Sequence, residues 1–271
     1  MLKFALPGAA AALALIILPN VARAVPTTTV NGVTFPVGFV ANGDQLQAAI
    51  VNETLITGPG QTLSGVGFIT TITDQNSNPV WADGTNGVRL GFTFNNYVSA
   101  LVVPPTAATA GQVTFTGGMV NYYTVPANTS ITQGSQTADA TAIQSGTLFL
   151  SSKGVASDAA GDTLISTIPQ GSSLTNFANG SGFGFLDVTG GAASTYFATH
   201  TFANAFDPAN GGSSDLRLTS SFNTGASGDF PVGGTANVKA NTAVATPEPA
   251  SLAVIGTALA TLALVRRRRR A

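Results

Sequence analysis

The chain has 271 residues, of which 44% are hydrophobic and 8% charged, with no cysteine, one histidine and 16 phenylalanines. Without cysteine there is no disulfide framework and no thiolate nucleophile, and the usual Cys-rich structural zinc sites are excluded, so stability must come from packing. Between residues 25 and 246 the only basic residues are Arg89, Lys153, Arg217 and Lys239, against 11 acids; this stretch therefore carries a net charge of −7 and is unsuited to nucleic acid.

Residues 1–24 have the layout of an export signal peptide. Lys3 supplies the charged start, residues 4–18 the apolar stretch, and Ala22-Arg23-Ala24 a small-x-small cleavage site. Pro7, Gly8 and Pro19 interrupt the stretch too often for a stable membrane span, so removal after Ala24 is predicted, leaving Val25 as the mature amino terminus.

The body, residues 25–230, reads as short strands separated by Gly, Asn, Asp and Ser turns. Residues 25–39 suggest an extended leader with an edge strand, and 44–50 either one helical turn or the start of a strand. Residues 63–73 are β-branched and bounded by Gly58-Pro59-Gly60 and Asp74-Gln75-Asn76, which predicts a strand. Val88, Leu90, Phe92 and Phe94 alternate as on a half-buried strand, and the loop 83–87 predicts a hairpin back to Val80-Trp81-Ala82. A second hairpin is predicted at Gly117-Gly118, between 113–116 and 119–122. Further strands are expected at 146–151, 163–168, 182–188, 195–202 and 215–221, and no stretch sustains a helical period. The expected fold is therefore all-β, an antiparallel β sandwich or jelly roll. Residues 231–246 read as a final edge strand and a linker.

Candidate chemistry is sparse. A Ser-His-Asp hydrolase would have to use His200, which the alternation of 196–202 places on a strand face. A glycosidase would need two carboxylates, and Glu53 is the only glutamate apart from Glu248. No enzyme is predicted, with a secreted hydrolase as the remaining alternative. Calcium is the one cofactor the sequence suggests. Asp74, Asn76 and Asn78 place oxygen side chains at the first, third and fifth positions of a loop, although Pro79 and Thr85 replace the glycine and glutamate of a calcium loop. A second candidate runs from Asp207 through Asn210 to Asp215, and at both places turn formation is the competing reading. For stacking on sugars, Trp81 comes first among Trp81, Tyr122, Tyr123 and Tyr196 because it borders a predicted loop; a core position is the alternative.

Two stretches carry family resemblances. Residues 181–193 (Ser-Gly-Phe-Gly-Phe-Leu-Asp-Val-Thr-Gly-Gly-Ala-Ala), then Tyr196-Phe197 and residues 209–222, resemble the closing region of flocculation-associated PEP-CTERM proteins, which are implicated in holding cells and exopolysaccharide together. The final segment, 247–271, is similar to a PEP-CTERM sorting signal: the motif Pro247, Glu248 and Pro249, an uncharged helix at 250–265, and a membrane stop of Arg266, Arg267, Arg268, Arg269 and Arg270. As a helix, those sixteen uncharged residues reach roughly 24 Å, a little short of a bilayer core of about 30 Å. The arginines hold their end in the cytoplasm. The resemblance implies a Gram-negative host, an exosortase as partner, a transient inner-membrane anchor and release to the periplasm, outer surface or extracellular matrix. The expected role is a structural or adhesive component of an exopolysaccharide, biofilm or floc matrix. The alternative is a carbohydrate-binding module assisted by calcium.

Overall fold

A computed structural model describes residues 25–38, 43–225 and 229–243. The signal cleavage site, the Pro-Glu-Pro motif, the 250–265 helix and the arginine block lie outside these residues. No helix among the described residues is long and apolar enough to cross a membrane.

The chain opens with β1 (Thr27–Val30) and β2 (Val33–Pro36), a small hairpin apart from the main sheet. Its turn is Asn31-Gly32, with φ of 48° and 84°, the paired positive angles that let a two-residue loop follow the twist of its strands. Phe35 of β2 is buried, packing edge-on against Phe149 and Tyr196 and tilted against Phe197.

The main sheet begins with β3 (Asp44–Glu53), β4 (Thr62–Thr73), β5 (Pro79–Ala82), β6 (Val88–Val103) and β7 (Gly111–Pro126). After α1 (Gln136–Gln144) come β8 (Thr147–Val155), β9 (Leu164–Ile168), β10 (Gly180–Gly190) and α2 (Ser194–Phe197). The two-residue strands β11 (Phe202–Ala203) and β12 (Ser213–Ser214) pair with each other, and β13 (Leu216–Thr224) and β14 (Val232–Ala240) complete the body.

The all-β, antiparallel expectation holds, but the strands are hydrogen-bonded into one ring instead of two facing sheets. The order is β13-β14-β3-β4-β6-β7-β8-β10, and β10 pairs back onto β13. At one end β9 stands in for β8, bridging Gly111 to Phe115 of β7 and Ser181 to Gly184 of β10. Closure leaves this ring without free edges, and local register shifts in β3, β4, β6 and β10 supply the bends that a closed sheet needs. One shift, around Ala49, also changes which residues face inward: Leu46 and Ala48 line the interior before it, Val51 and Glu53 after it.

Several sequence expectations are corrected. Gly117-Gly118 is not a hairpin turn: β7 runs straight through it while remaining paired with β6. The glycines are there because both φ angles are positive, 74° and 97°, and because a Cβ on Gly118 would lie 2.1 Å from the Tyr97 ring. β5 returns onto β4, with Trp81 opposite Ile72, and not onto β6. Of the two alternatives for residues 44–50, the strand holds. Residues 195–202 are not one strand but the turn of helix α2, a coil and the start of β11. The strand expected at an edge within 231–246 is not one: β14 sits inside the ring between β13 and β3, and residues 244–246 of the expected linker lie outside the described residues. Finally, α1 was unforeseen. Ser135 caps it by accepting a hydrogen bond from the Ala138 N–H, and Ile143 anchors it in a small cluster with Val66, Phe68, Val125 and Phe230.

Candidate metal centre

The first predicted calcium site closes a turn instead. Asp74 Oδ1 accepts hydrogen bonds from the backbone N–H groups of Asn76 and Asn78, both at 2.8 Å, and Oδ2 accepts one from the Asn78 side-chain amide at 3.1 Å. Burial pulls the Asp74 pKa upward, but these hydrogen bonds outweigh it and hold the carboxyl below its usual value. Asn76 and Asn78 thus act as donors to Asp74, which is the turn-forming alternative. Trp81 is 2% exposed and packed in the main core, so its ring offers no face to a sugar.

The second candidate is a real convergence, with a member the sequence did not suggest. Asp187 comes from β10 and Asp215 from the residue just before β13; these strands pair with Leu186 opposite Leu216. That ladder ends there, and Asp215 substitutes for its continuation: Oδ2 accepts the Val188 N–H at 2.8 Å and Oδ1 accepts the His200 N–H at 2.7 Å. His200 has φ of 47°, a left-handed conformation uncommon outside glycine in which Asn, Asp and His are the enriched exceptions, and its ring turns back so that Nδ1 lies 3.1 Å from the same Oδ1. The histidine expected on a strand face therefore sits in a coil, with its side chain 47% exposed and aimed at a fully buried carboxylate.

The loop between β11 and β12 forms the other wall. Asn204 pins it, donating from Nδ2 to the Ala156 carbonyl and to Ser214 Oγ, each at 2.9 Å. Within it, the Gly212 N–H meets the Asp207 carbonyl at 2.8 Å, and Gly211 and Gly212 both hold positive φ. This fold-back directs Asn210 Nδ2 to Asp187 Oδ2 and, at 3.1 Å, to Asp207 Oδ2. Ser214 Oγ also donates to Asp207 Oδ2, at 3.3 Å.

Three acids thus share a nearly dry site: Asp187 and Asp207 are 4% exposed and Asp215 is 0%. Burial first, then the charges of Asp207 and Asp215, push the Asp187 carboxyl up to about 6. Its Oδ1 is buried and, among the described residues, has no hydrogen-bond partner. The Asp187, Asp215 and His200 donor atoms lie within 4.8 Å of one another. Lys153 stands opposite Asp187 on β8 and Arg217 follows on β13, but among the described residues neither forms an ion pair with the cluster. Such a set can accept a cation. His200 and Asp215 are also two parts of a Ser-His-Asp relay, yet among the described residues no hydroxyl bonds the imidazole.

A second feature lies inside the ring: an apolar cavity of about 60 Å³, bordered by Leu46, Phe92, Tyr97, Tyr122 and Glu53. Burial alone pushes the Glu53 carboxyl up to about 7, and the buried Tyr97 hydroxyl has no partner.

The chain matches no protein-family model, no curated protein and no solved structure.

Proposed function

We propose that this chain is an exported, exosortase-sorted protein of the cell surface or exopolysaccharide matrix, with a structural or adhesive role. The observation that carries the proposal is the pairing of two end signals: the Ala22-Arg23-Ala24 cleavage site at one end, and Pro247-Glu248-Pro249 followed by an uncharged stretch and five arginines at the other. A closed antiparallel ring between them supports it, because such a body can persist outside the cell without disulfides. In this reading the 250–265 helix holds the body at the inner membrane only until cleavage near Pro-Glu-Pro. The host is a Gram-negative bacterium, and the partners are an exosortase and exopolysaccharide.

Deleting residues 247–270 tests the sorting. The truncated protein is expected to lose its surface or matrix location and to show no tail-dependent change in processed mass. Unchanged location and mass relative to the full chain would refute the reading.

One observation favours a second reading, a carbohydrate-binding module that needs a cation. Of the buried acids Asp187 lies on β10 and Asp207 and Asp215 on the segments either side of β12, where an ion could organise a glycan site. Affinity electrophoresis in purified exopolysaccharide, with and without chelator, decides it: retardation abolished by chelator supports a cation-dependent module, and no retardation removes it.

A further inference from the structure

We propose that Asp187, Asp215 and His200 bind one divalent first-row metal ion, of the Mn2+ to Zn2+ class, in a two-carboxylate, one-imidazole site. This inference is independent of the sorting reading, since it concerns the folded body and not the tail.

A group of acids alone would not carry it. The deciding observation is Asp187 Oδ1, an oxygen buried in a residue 4% exposed and, among the described residues, left without a hydrogen-bond partner. An orphaned carboxylate oxygen is costly, and native structures give such atoms a partner or an ion. Asn210 holds the other oxygen of the same carboxylate, and Asp187 offers a carboxylate oxygen within 4.8 Å of the donor atoms of Asp215 and His200.

The remaining ligands are held as metal ligands usually are. Asp215 is oriented by two backbone N–H groups, from Val188 and His200, leaving further lone pairs on both oxygens. His200 Nδ1 already lies 3.1 Å from Asp215 Oδ1, so the imidazole stands beside the carboxylate with which it would share an ion. Asp207 and Ser214 stand behind Asn210 as outer support.

The donor set selects the class of ion. Imidazole suits zinc, copper, iron and nickel, whereas calcium takes six to eight oxygens and has no use for His200. Two carboxylates and a neutral imidazole neutralise a divalent ion and leave a fourth position for water or a ligand group.

The test uses the untagged full chain, stripped with chelator and titrated calorimetrically with Zn2+, Mn2+ and Ca2+ in separate runs. Because His200 is the only histidine, its imidazole NMR signals report occupancy of this site alone. Zn2+ or Mn2+ is expected to bind one per chain and shift those signals, with affinity lowered at least about 10-fold in Asp187→Asn and in His200→Gln. His200→Gln matters most, since a half-exposed side chain can be changed without unfolding the body. Failure of both Zn2+ and Mn2+ to bind one per chain would overturn the proposal, as would unchanged affinity in His200→Gln. Calcium bound equally well by wild type and His200→Gln would also overturn it, in favour of an oxygen-only site.

Discussion

Glu53 shows how one residue can set the pH response of the body. Its carboxyl faces the apolar interior, where burial raises its pKa from 4.5 to about 7. Between those values the folded protein keeps a proton that the unfolded chain has released, so stability is full below pH 4.5 and falls as pH rises through 7. Replacing Glu53 by Gln removes the titrating group. Chemical denaturation is expected to show a wild-type loss between pH 5 and pH 8 that is smaller in Glu53→Gln by up to about 3 kcal/mol, the part left in the variant coming from the other raised carboxyls such as Asp187. Equal pH slopes in the two proteins would contradict the placement of this carboxyl. Gly118 makes a steric prediction at the same scale. Its φ is 97° and the Tyr97 ring occupies the space of a Cβ, so Gly118→Ala should cost at least about 2 kcal/mol, read from the urea midpoint. Residue chemistry also separates the Asp74 loop from the cluster around Asp187. Asp74 and Asp187 are both buried, but nearby backbone N–H groups satisfy Asp74, whereas Asp187 relies on a residue 23 positions away.

At the scale of the element, α1 is the least legible part of the chain. Gln-Thr-Ala-Asp-Ala-Thr-Ala-Ile-Gln contains one large apolar residue, so no helical stripe announces it. What holds it is a cap and a single anchor. Ser135→Ala is expected to cost about 1 kcal/mol and Ile143→Ala about 3 kcal/mol, measured by thermal or urea denaturation. The larger effect should come from Ile143, which is 0% exposed among Val66, Phe68, Val125 and Phe230. Strands were easier to see, since alternation over Val88, Leu90, Phe92 and Phe94 and the β-branched run of β4 need no knowledge of the rest of the fold. Their partners were not visible. Trp81 could have returned to β6 across the Gly-rich loop, but the turn held by the Asp74 carboxylate brings it back onto β4, where the indole is buried.

For the whole molecule, closure of the ring is the property on which stability rests. β14 is the piece that joins β13 to β3, so a chain ending before Val232 should lose cooperative unfolding. A chain ending at residue 246 should keep the wild-type transition, and circular dichroism melts of the two truncations check this. In the full chain, intact-mass measurement of the surface or matrix fraction is expected to find a form starting at Val25 and lacking Arg266 to Arg270. A dominant species running from Val25 to Ala271 would refute processing and leave a tail-anchored periplasmic protein.

By itself the sequence determined the class of the body and the positions of most strands, and it carries the two end patterns on which the sorting proposal rests. These are local properties: side-chain alternation, turn residues, and runs of charge or apolar residues within a few positions of one another. Only the tertiary structure decided that the strands close into a ring, that β14 belongs inside it, and that Asp187, His200 and Asp215 meet. The reason is that pairing between strands depends on bulges and registers that shift inward and outward faces by one residue. A histidine in a left-handed coil, brought beside an aspartate 15 positions later, leaves no periodic trace in the sequence.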